Sequence, residues 1–217
     1  MDWHELRNKH AGEVCTIIGN GPSLRDVPLA FLQRYPTIGT NRIYLLEGFT
    51  PTYYTAINPL VIEQSIPQIN AIQAQAKFIR ATMADMIPGS LPLTSGGFGT
   101  FSINPSEYVY EGYTVTYVAM QLAYFLGFTT ALLVGVDHKY KQDAGSNTET
   151  VWQGHDPNHF HPGYFTGTRW NNPDLRQSTA AYELARSAYD ANGRKIINLT
   201  PNSALDVFEK GDLHQWI

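Results

Sequence analysis

The sequence predicts an α/β fold: a single domain with a mostly parallel sheet, helices on both faces and a long lid loop. Three observations predict it. Short β-branched runs alternate with helix-like segments, the pattern of parallel strands joined by crossover helices. The run "TTALLVGVD" (129–137) is almost continuously apolar, as a strand covered on both faces must be. At 217 residues and 43% apolar content the chain can bury one sizeable core, so residues 1–217 are read as one domain.

The first strand is the apolar run Val14 to Ile18, stopped abruptly in "CTIIGNGPSLRDVP" (15–28) by two glycines flanking Asn20. "DVPLAFLQRY" (26–35) reads as a short helix, with Asp26 as N-cap and Pro28 in its first turn. "TIGTN" (37–41) and "TYYTAIN" (52–58) are strands, the latter ended by Pro59. "LVIEQSIPQINAIQAQA" (60–76) has helical spacing that Pro67 must break or kink. "KFIRA" (77–81) and "GTFSIN" (99–104) are further strand candidates. "TVTYVAMQLAYFLG" (114–127) is a helix apolar on nearly all sides, hence buried, with Met120 and Phe125 in the core, and it feeds the central strand 129–137. "PDLRQSTAAYELARSAYDANG" (173–193) is a helix stopped by Gly193, and "KIINLT" (195–200) is the last strand.

Composition excludes several classes. The net charge is −4 with Lys and Arg scattered, so no basic stripe points to nucleic acid. Cys15 is the single cysteine and cannot pair within the chain, which fits a core residue in a reducing compartment. The polar start "MDWHELRNKH" lacks a secretory apolar stretch, and "YVAMQLAYFLGF" (117–128) is short of the roughly 20 residues a membrane-spanning helix needs. The expectation is a soluble, cytoplasmic protein; peripheral membrane contact and homo-oligomerisation stay open.

Ligands of parallel α/β sheets bind beyond the carboxyl ends of the strands. The polar residues at those ends are Asn20, Ser23, Asn41, Asn58, Asp137, Asn202 and Ser203. Any one of them alone is an ordinary turn residue. Asparagines at successive strand tips, able to donate and accept without charge, suit ribose hydroxyls, base edges and phosphate oxygens. Gly19 and Gly21 add the tight turn and close backbone approach of a nucleotide cradle.

The stretch 138–172 shows no long element and reads as a functional lid. Its core, "VWQGHDPNHFHPGYFTGTRW" (151–170), is too aromatic for a disordered tail. His155, His159 and His161, with Asp137 and Asp156 nearby, admit a zinc reading, although no zinc signature is matched. They equally admit one histidine as general base, its ordinary pKa of about 6.5 suiting proton abstraction near neutrality.

"IIGNGPSL" (17–24), "TNRIY" (40–44), "INP" (57–59), "FLGF" (125–128), "LVGVD" (133–137), "NHFHPGYF" (158–165) and "TPNSALDVF" (200–208) occur in this order. The series resembles the small bacterial sialyltransferases that use CMP-sialic acid on lipooligosaccharide. It is similar also to a wider Rossmann-like family associated with flagellin glycosylation, which includes a pterin pyrophosphokinase branch. The resemblance implies a single Rossmann-like domain in which Gly19, Asn20, Gly21 and Ser23 line the nucleotide's phosphate and sugar. It implies that Asn41 and Asn58 hold nucleotide and donor sugar, with His159 first and His161 second as general base. Tyr140 and Tyr164 are implied stabilisers of the departing phosphate. The family's "TSG" at the start of the buried helix is "TVT" here: Thr114 keeps a hydroxyl, but Val115 replaces the serine that approaches the donor. The implied activity is a metal-independent glycosyltransferase passing a sugar from a nucleotide donor, CMP-linked, to a glycan hydroxyl. Two other readings stand beside it. One is a magnesium-dependent nucleotide enzyme of pyrophosphokinase type, for which Asp137, Asp143 and Asp156 are the available carboxylates. The other is a non-catalytic nucleotide- or glycan-binding module.

Overall fold

The computed structural model describes residues 2–141, 145–151 and 153–216. Asp143 and Trp152 lie outside them. A short helix α1 (Trp3–Leu6), closed by a reciprocal Asp2–Glu5 capping box, precedes strand β1 (Val14–Ile18). A 3-10 turn over Pro22–Asp26 and helix α2 (Leu29–Leu32) lead to β2 (Thr37–Thr40) and β3 (Tyr53–Ala56). Asp26 therefore ends a 3-10 turn and does not cap the following helix, which starts after Pro28. The 60–76 segment divides as its proline requires, into α3 (Pro59–Glu63), capped by the Asn58 side chain, and α4 (Ile66–Ala71), with Pro67 in its first turn. Strands β4 (Ala76–Arg80) and β5 (Leu91–Leu93) complete this half of the sheet.

Helix α5 (Val115–Leu126) starts at Thr114, whose hydroxyl accepts the Thr116 N–H, and ends at Gly127 with φ +96°. That angle is one a side chain disfavours, so glycine stops the helix cleanly. Every residue from Thr116 to Leu126 is buried. The central strand β6 (Thr130–Val134) follows, then a short antiparallel hairpin of β7 (Glu149–Val151) and β8 (Arg169–Asn171). Helix α6 (Leu175–Asp190), β9 (Lys195–Asn198) and β10 (Glu209–Lys210) close the chain. The strand expected over 99–104 does not form; that stretch is irregular, and the sheet edge is instead supplied by β5. Pro92 sits within β5, and an edge is where a strand tolerates a proline.

The eight main strands run in the order β10-β9-β6-β1-β2-β3-β4-β5, and every pairing is parallel. This is an α/β, Rossmann-like sheet. Alternate residues of each strand serve the two faces. Cys15 and Ile17 of β1 and Leu133 of β6 pack under α5 and α6. Ile18, Leu132 and Val134 face the α2–α4 side, where Phe160, Tyr164, Phe165 and Trp170 of the lid join the same cluster. The lid is thus bonded into the core through its aromatic rings. Cys15 is buried and unpaired, as a core thiol. Among the described residues no helix is long and apolar enough to cross a membrane.

The sheet's direction of growth reverses between β1 and β6. Their following loops diverge there, opening a crevice at the carboxyl ends of the strands.

Candidate functional site

That crevice is a cavity of about 380 Å³. Its floor is where the chain after β1 crosses the chain after β6. A Cβ on Gly19 would lie 2.4 Å from the Gly135 carbonyl oxygen, and one on Gly135 would lie 2.7 Å from the Gly19 oxygen. A Cβ on Gly21 would meet the Asp137 carboxylate at 2.0 Å. Gly19 and Gly135 are therefore required first by backbone meeting backbone, and Gly21 first by the Asp137 carboxylate; the space beside Gly19 belongs to Gly135. Both Gly19 and Gly21 still line the cavity.

Above this floor the strand-tip asparagines converge. The Asn20 amide nitrogen donates to the Thr40 carbonyl at 3.0 Å and to its hydroxyl at 2.9 Å, bracing β1 against β2. A carbonyl can only accept, so this bond fixes the amide's orientation and leaves Oδ1 buried without a partner. Asn41 sits in the left-handed region at φ +49°, with its carbonyl accepting the Tyr54 hydroxyl at 2.7 Å and its Oδ1 again unpartnered. Asn58 lines the cavity too, but its Oδ1 accepts the Leu60 N–H at 2.9 Å and so serves as a helix cap. Asn172, not among the sequence candidates, repeats the Asn20 arrangement. Its amide nitrogen bonds Thr148, its Oδ1 has no partner, and it lines the same cavity. An unmet buried acceptor costs about 1–3 kcal/mol. All three residues line the cavity, but each Oδ1 is itself closed off from solvent, so a ligand's hydroxyl or amino donors would reach it only after a small side-chain shift.

Three other candidates, Ser23, Asn202 and Ser203, stand away from the cavity wall. Ser23 donates from Oγ to Asp137 Oδ2 at 2.7 Å and faces a separate hollow that Asn202 also lines. Ser203 donates to the Val136 carbonyl at 2.6 Å and accepts from Asn198, tying the β9 loop to the β6 loop. Its role is to hold the frame. Asp137 lines both hollows, and burial raises its carboxyl pKa despite the Ser23 bonds that favour the anion.

The lid brings His159 to the cavity. Its Nδ1 lies 2.8 Å from Asp156 Oδ2; His159 is 6% exposed and Asp156 2%. Burial works to raise the Asp156 pKa, but the His159 bond and attraction outweigh it and hold it below the ordinary aspartate value. The carboxylate is ionised and must accept, so Nδ1 carries the proton and Nε2 is the ring's basic position. The ring stacks on Tyr164 at 4.0 Å and meets Phe165 edge-on at 5.1 Å. The backbone at His159–Phe160 is pinned by the Phe160 N–H to the Asn20 carbonyl (2.9 Å) and by Arg25 to both lid carbonyls (2.8 and 2.9 Å).

A second arginine holds the other side. Arg42, 6% exposed, donates its backbone N–H to the Tyr164 hydroxyl and its guanidinium to the Tyr164 carbonyl, and lies 4.9 Å from the Phe165 ring centroid. Its Nε is buried without a partner. Tyr164 and Tyr140 both line the cavity, and burial raises both phenol pKa values, so each presents a neutral hydroxyl.

His161 is not in the cavity wall; its Nδ1 accepts the Gly163 N–H at 3.2 Å. Among the described residues no three His, Cys, Asp or Glu side chains are grouped to hold a metal ion, so His155, His159 and His161 do not converge.

The structure adds groups that sequence reasoning missed. His138, at φ +54°, lines the cavity with its Nε2 2.8 Å from the Thr179 hydroxyl, and burial chiefly lowers its pKa. Arg80 and Glu111 form an ion pair at 2.6 Å in the cavity wall. The α5 N-terminus, with its positive dipole end, opens there through Thr114, Val115 and Thr116. An unusual histidine after "GVD" was visible in the sequence; the Arg80–Glu111 pairing, across 31 residues, had no local signal.

A doubly wound parallel sheet with its ligand-sized cavity at the reversal of strand order defines the class: a Rossmann-like α/β protein with a site at the switch point. No family model matches the chain, and no curated protein matches it in sequence. The fold is shared with solved glycosyltransferases. The Maf glycosyltransferase from Magnetospirillum magneticum AMB-1 superposes with TM-score 0.62 and 14% identity, over 96% of this chain and 35% of that one. This chain thus spans about a third of the Maf enzyme's length. The sialyltransferase CstII from Campylobacter jejuni, in complex with the substrate analogue cytidine-5'-monophosphate, gives TM-score 0.55 and 15% identity, over 92% of this chain and 85% of CstII. Its complex with CMP-3FNeuAc gives 0.51 at 16% identity, over 91% and 84%.

Proposed function

We propose that this protein is a glycosyltransferase that moves a sugar from a nucleotide donor, CMP-linked, to a glycan hydroxyl without a metal, using His159 as general base. The observation that supports this most is the buried His159–Asp156 pair, whose histidine lines the cavity that Asn20, Asn41 and Asn172 also line. The asparagine oxygens would accept from ribose hydroxyls and the base amino group. The α5 N-terminal amides and the Tyr140 and Tyr164 hydroxyls would receive charge on the departing phosphate. As the anomeric C–O bond breaks, its electron pair leaves with the nucleotide phosphate. The acceptor oxygen forms the new C–O bond, and its proton passes to His159 Nε2, whose cation Asp156 stabilises. A lid pinned by Arg25 and Arg42 would keep water from the cation-like carbon.

The fold of the Maf and CstII structures agrees with this reading, and one of the CstII structures holds the substrate analogue cytidine-5'-monophosphate. Thermal unfolding with CMP, CDP, UDP and ATP, each with and without magnesium, tests it. A nucleotide at about 100 times its Kd stabilises by about 2.7 kcal/mol, or roughly 5–10 °C for a chain of this size. The expected result is such a shift with CMP in the absence of magnesium, together with CMP release from CMP-sugars when a glycan acceptor is added. Stabilisation by ATP and magnesium alone would overturn the proposal in favour of pyrophosphoryl transfer.

A further inference from the structure

At the β4 side of the cavity two aromatic rings are exposed where burial would be the default. Phe98 is 56% exposed and Tyr113 37%, yet their rings stack at 4.5 Å with planes 25° apart, and both line the cavity. The backbone is built to present them. Gly96 donates to the Val109 carbonyl at 2.8 Å and Glu111 to the Gly97 carbonyl at 3.2 Å, so the two segments are laced together just before each ring. Tyr113 is held at φ +59°, a conformation a bulky residue disfavours, between Gly112 and the cap of α5. A Cβ on Gly112 would lie 2.4 Å from the Tyr117 ring, so the approach is tight. Strain retained at an exposed ring on a cavity rim points to use of that ring.

Beside the rings lies the Arg80–Glu111 pair. Arg80 commits Nε to the Ile57 carbonyl and Nη2 to Glu111 Oε2, leaving Nη1 as donor and Glu111 Oε1 as acceptor. The guanidinium is already neutralised by Glu111, so this wall offers hydroxyls a donor and an acceptor but gives a carboxylate no free cation.

Resting on the glycosyltransferase reading, we propose that Phe98, Tyr113, Arg80 and Glu111 form the acceptor subsite, and that it takes an uncharged pyranoside at the end of a glycan. The sugar's C–H face lies on the aromatic platform and its hydroxyls bond the ion pair. Placement at the open rim, while the unpartnered asparagines surround the switch point, assigns the exposed end to the incoming hydroxyl.

Saturation-transfer NMR with methyl glycosides tests this directly, using neutral methyl galactoside and methyl glucoside against methyl glucuronide and methyl N-acetylneuraminide. The wild-type protein is expected to take saturation from the neutral glycosides, and Phe98→Ala to lose the signal at least about tenfold while CMP still raises its unfolding temperature as in wild type. Glu111→Gln, which frees Arg80, is expected to gain the acidic glycosides. Wild-type preference for the acidic glycosides, no binding of any glycoside, or binding indifferent to Phe98 would overturn the subsite. CMP binding without glycoside binding sinks the subsite and leaves the enzyme reading standing. Phe98-dependent glycoside binding without CMP binding does the reverse.

Discussion

His159 Nδ1 and Asp156 Oδ2 lie 2.8 Å apart in a lid whose own aromatic rings bury both side chains. They stand three positions apart in sequence, and the turn between is closed by the Asn158 N–H bonding the other Asp156 oxygen at 2.8 Å. The pair therefore orients one imidazole and leaves Nε2 as its basic position. His159→Ala is expected to lower kcat for sugar transfer about 10²- to 10⁴-fold. Nucleotide affinity should stay near wild type, because the nucleotide's proposed contacts lie on the asparagines. Asp156→Asn should lose less. Both are read from CMP release; an undiminished kcat in His159→Ala removes the histidine from the mechanism.

Arg42 locks the lid to the tip of β2. Arg42→Ala removes a charge-assisted bond to the Tyr164 carbonyl, worth about 1.5–3 kcal/mol, and the stack on Phe165. Relief of a buried, incompletely bonded cation offsets part of that loss. The expected outcome is an unfolding temperature lower by a few degrees and faster proteolytic cleavage within 153–169. Arg42→Lys should rescue neither fully, since an ammonium lacks the planar fork. Cleavage at the wild-type rate would show that the lid is held elsewhere.

Gly19 and Gly21 differ in how they resist a methyl group. At Gly19 the Cβ meets the Gly135 backbone at 2.4 Å, which no side-chain rotation relieves. At Gly21 the nearest atom is the end of the Asp137 side chain, which can turn away, and the backbone is met less closely, with the Gly135 oxygen at 2.9 Å. Gly19→Ala is expected to cost about 1–3 kcal/mol, and Gly21→Ala less, in denaturant titration. A reversed order would contradict the crossing described for the cavity floor.

Burial raises the Asp137 pKa above its ordinary value of 3.8. A carboxyl shifted upward favours the folded state while protonated, below 3.8, and that contribution is lost as pH rises through the folded value. Asp137→Asn, neutral at every pH and able to keep the Ser23 hydroxyl as donor, should therefore melt higher than wild type at pH 7. The difference should shrink as pH falls toward 3.8. A constant difference across that range would mean the charge is not what the fold resists.

Much of the frame was legible because its signals are local. Apolar β-branched runs marked β1, β2, β3, β4, β6 and β9, and an apolar run at helical length marked α5. The three-residue strands β5, β7 and β8 and the two-residue β10 were not, since so short a run carries no period of its own. "GTFSIN" looked like a strand but lies irregular before the aromatic platform.

By itself the sequence determined the α/β alternation, the strand tips that bear asparagines, and the histidine-rich aromatic loop, because each is written in neighbouring residues. Tertiary structure alone decided which of those groups face one cavity. It put Asn20, Asn41, Asn172 and His159 together, left Ser203 and His161 outside, spent Asn58 on a helix cap, and brought Arg80 to Glu111. The reason is that side-chain convergence depends on strand order and register, and hydrogen bonds between residues far apart in the chain leave no trace in either local pattern.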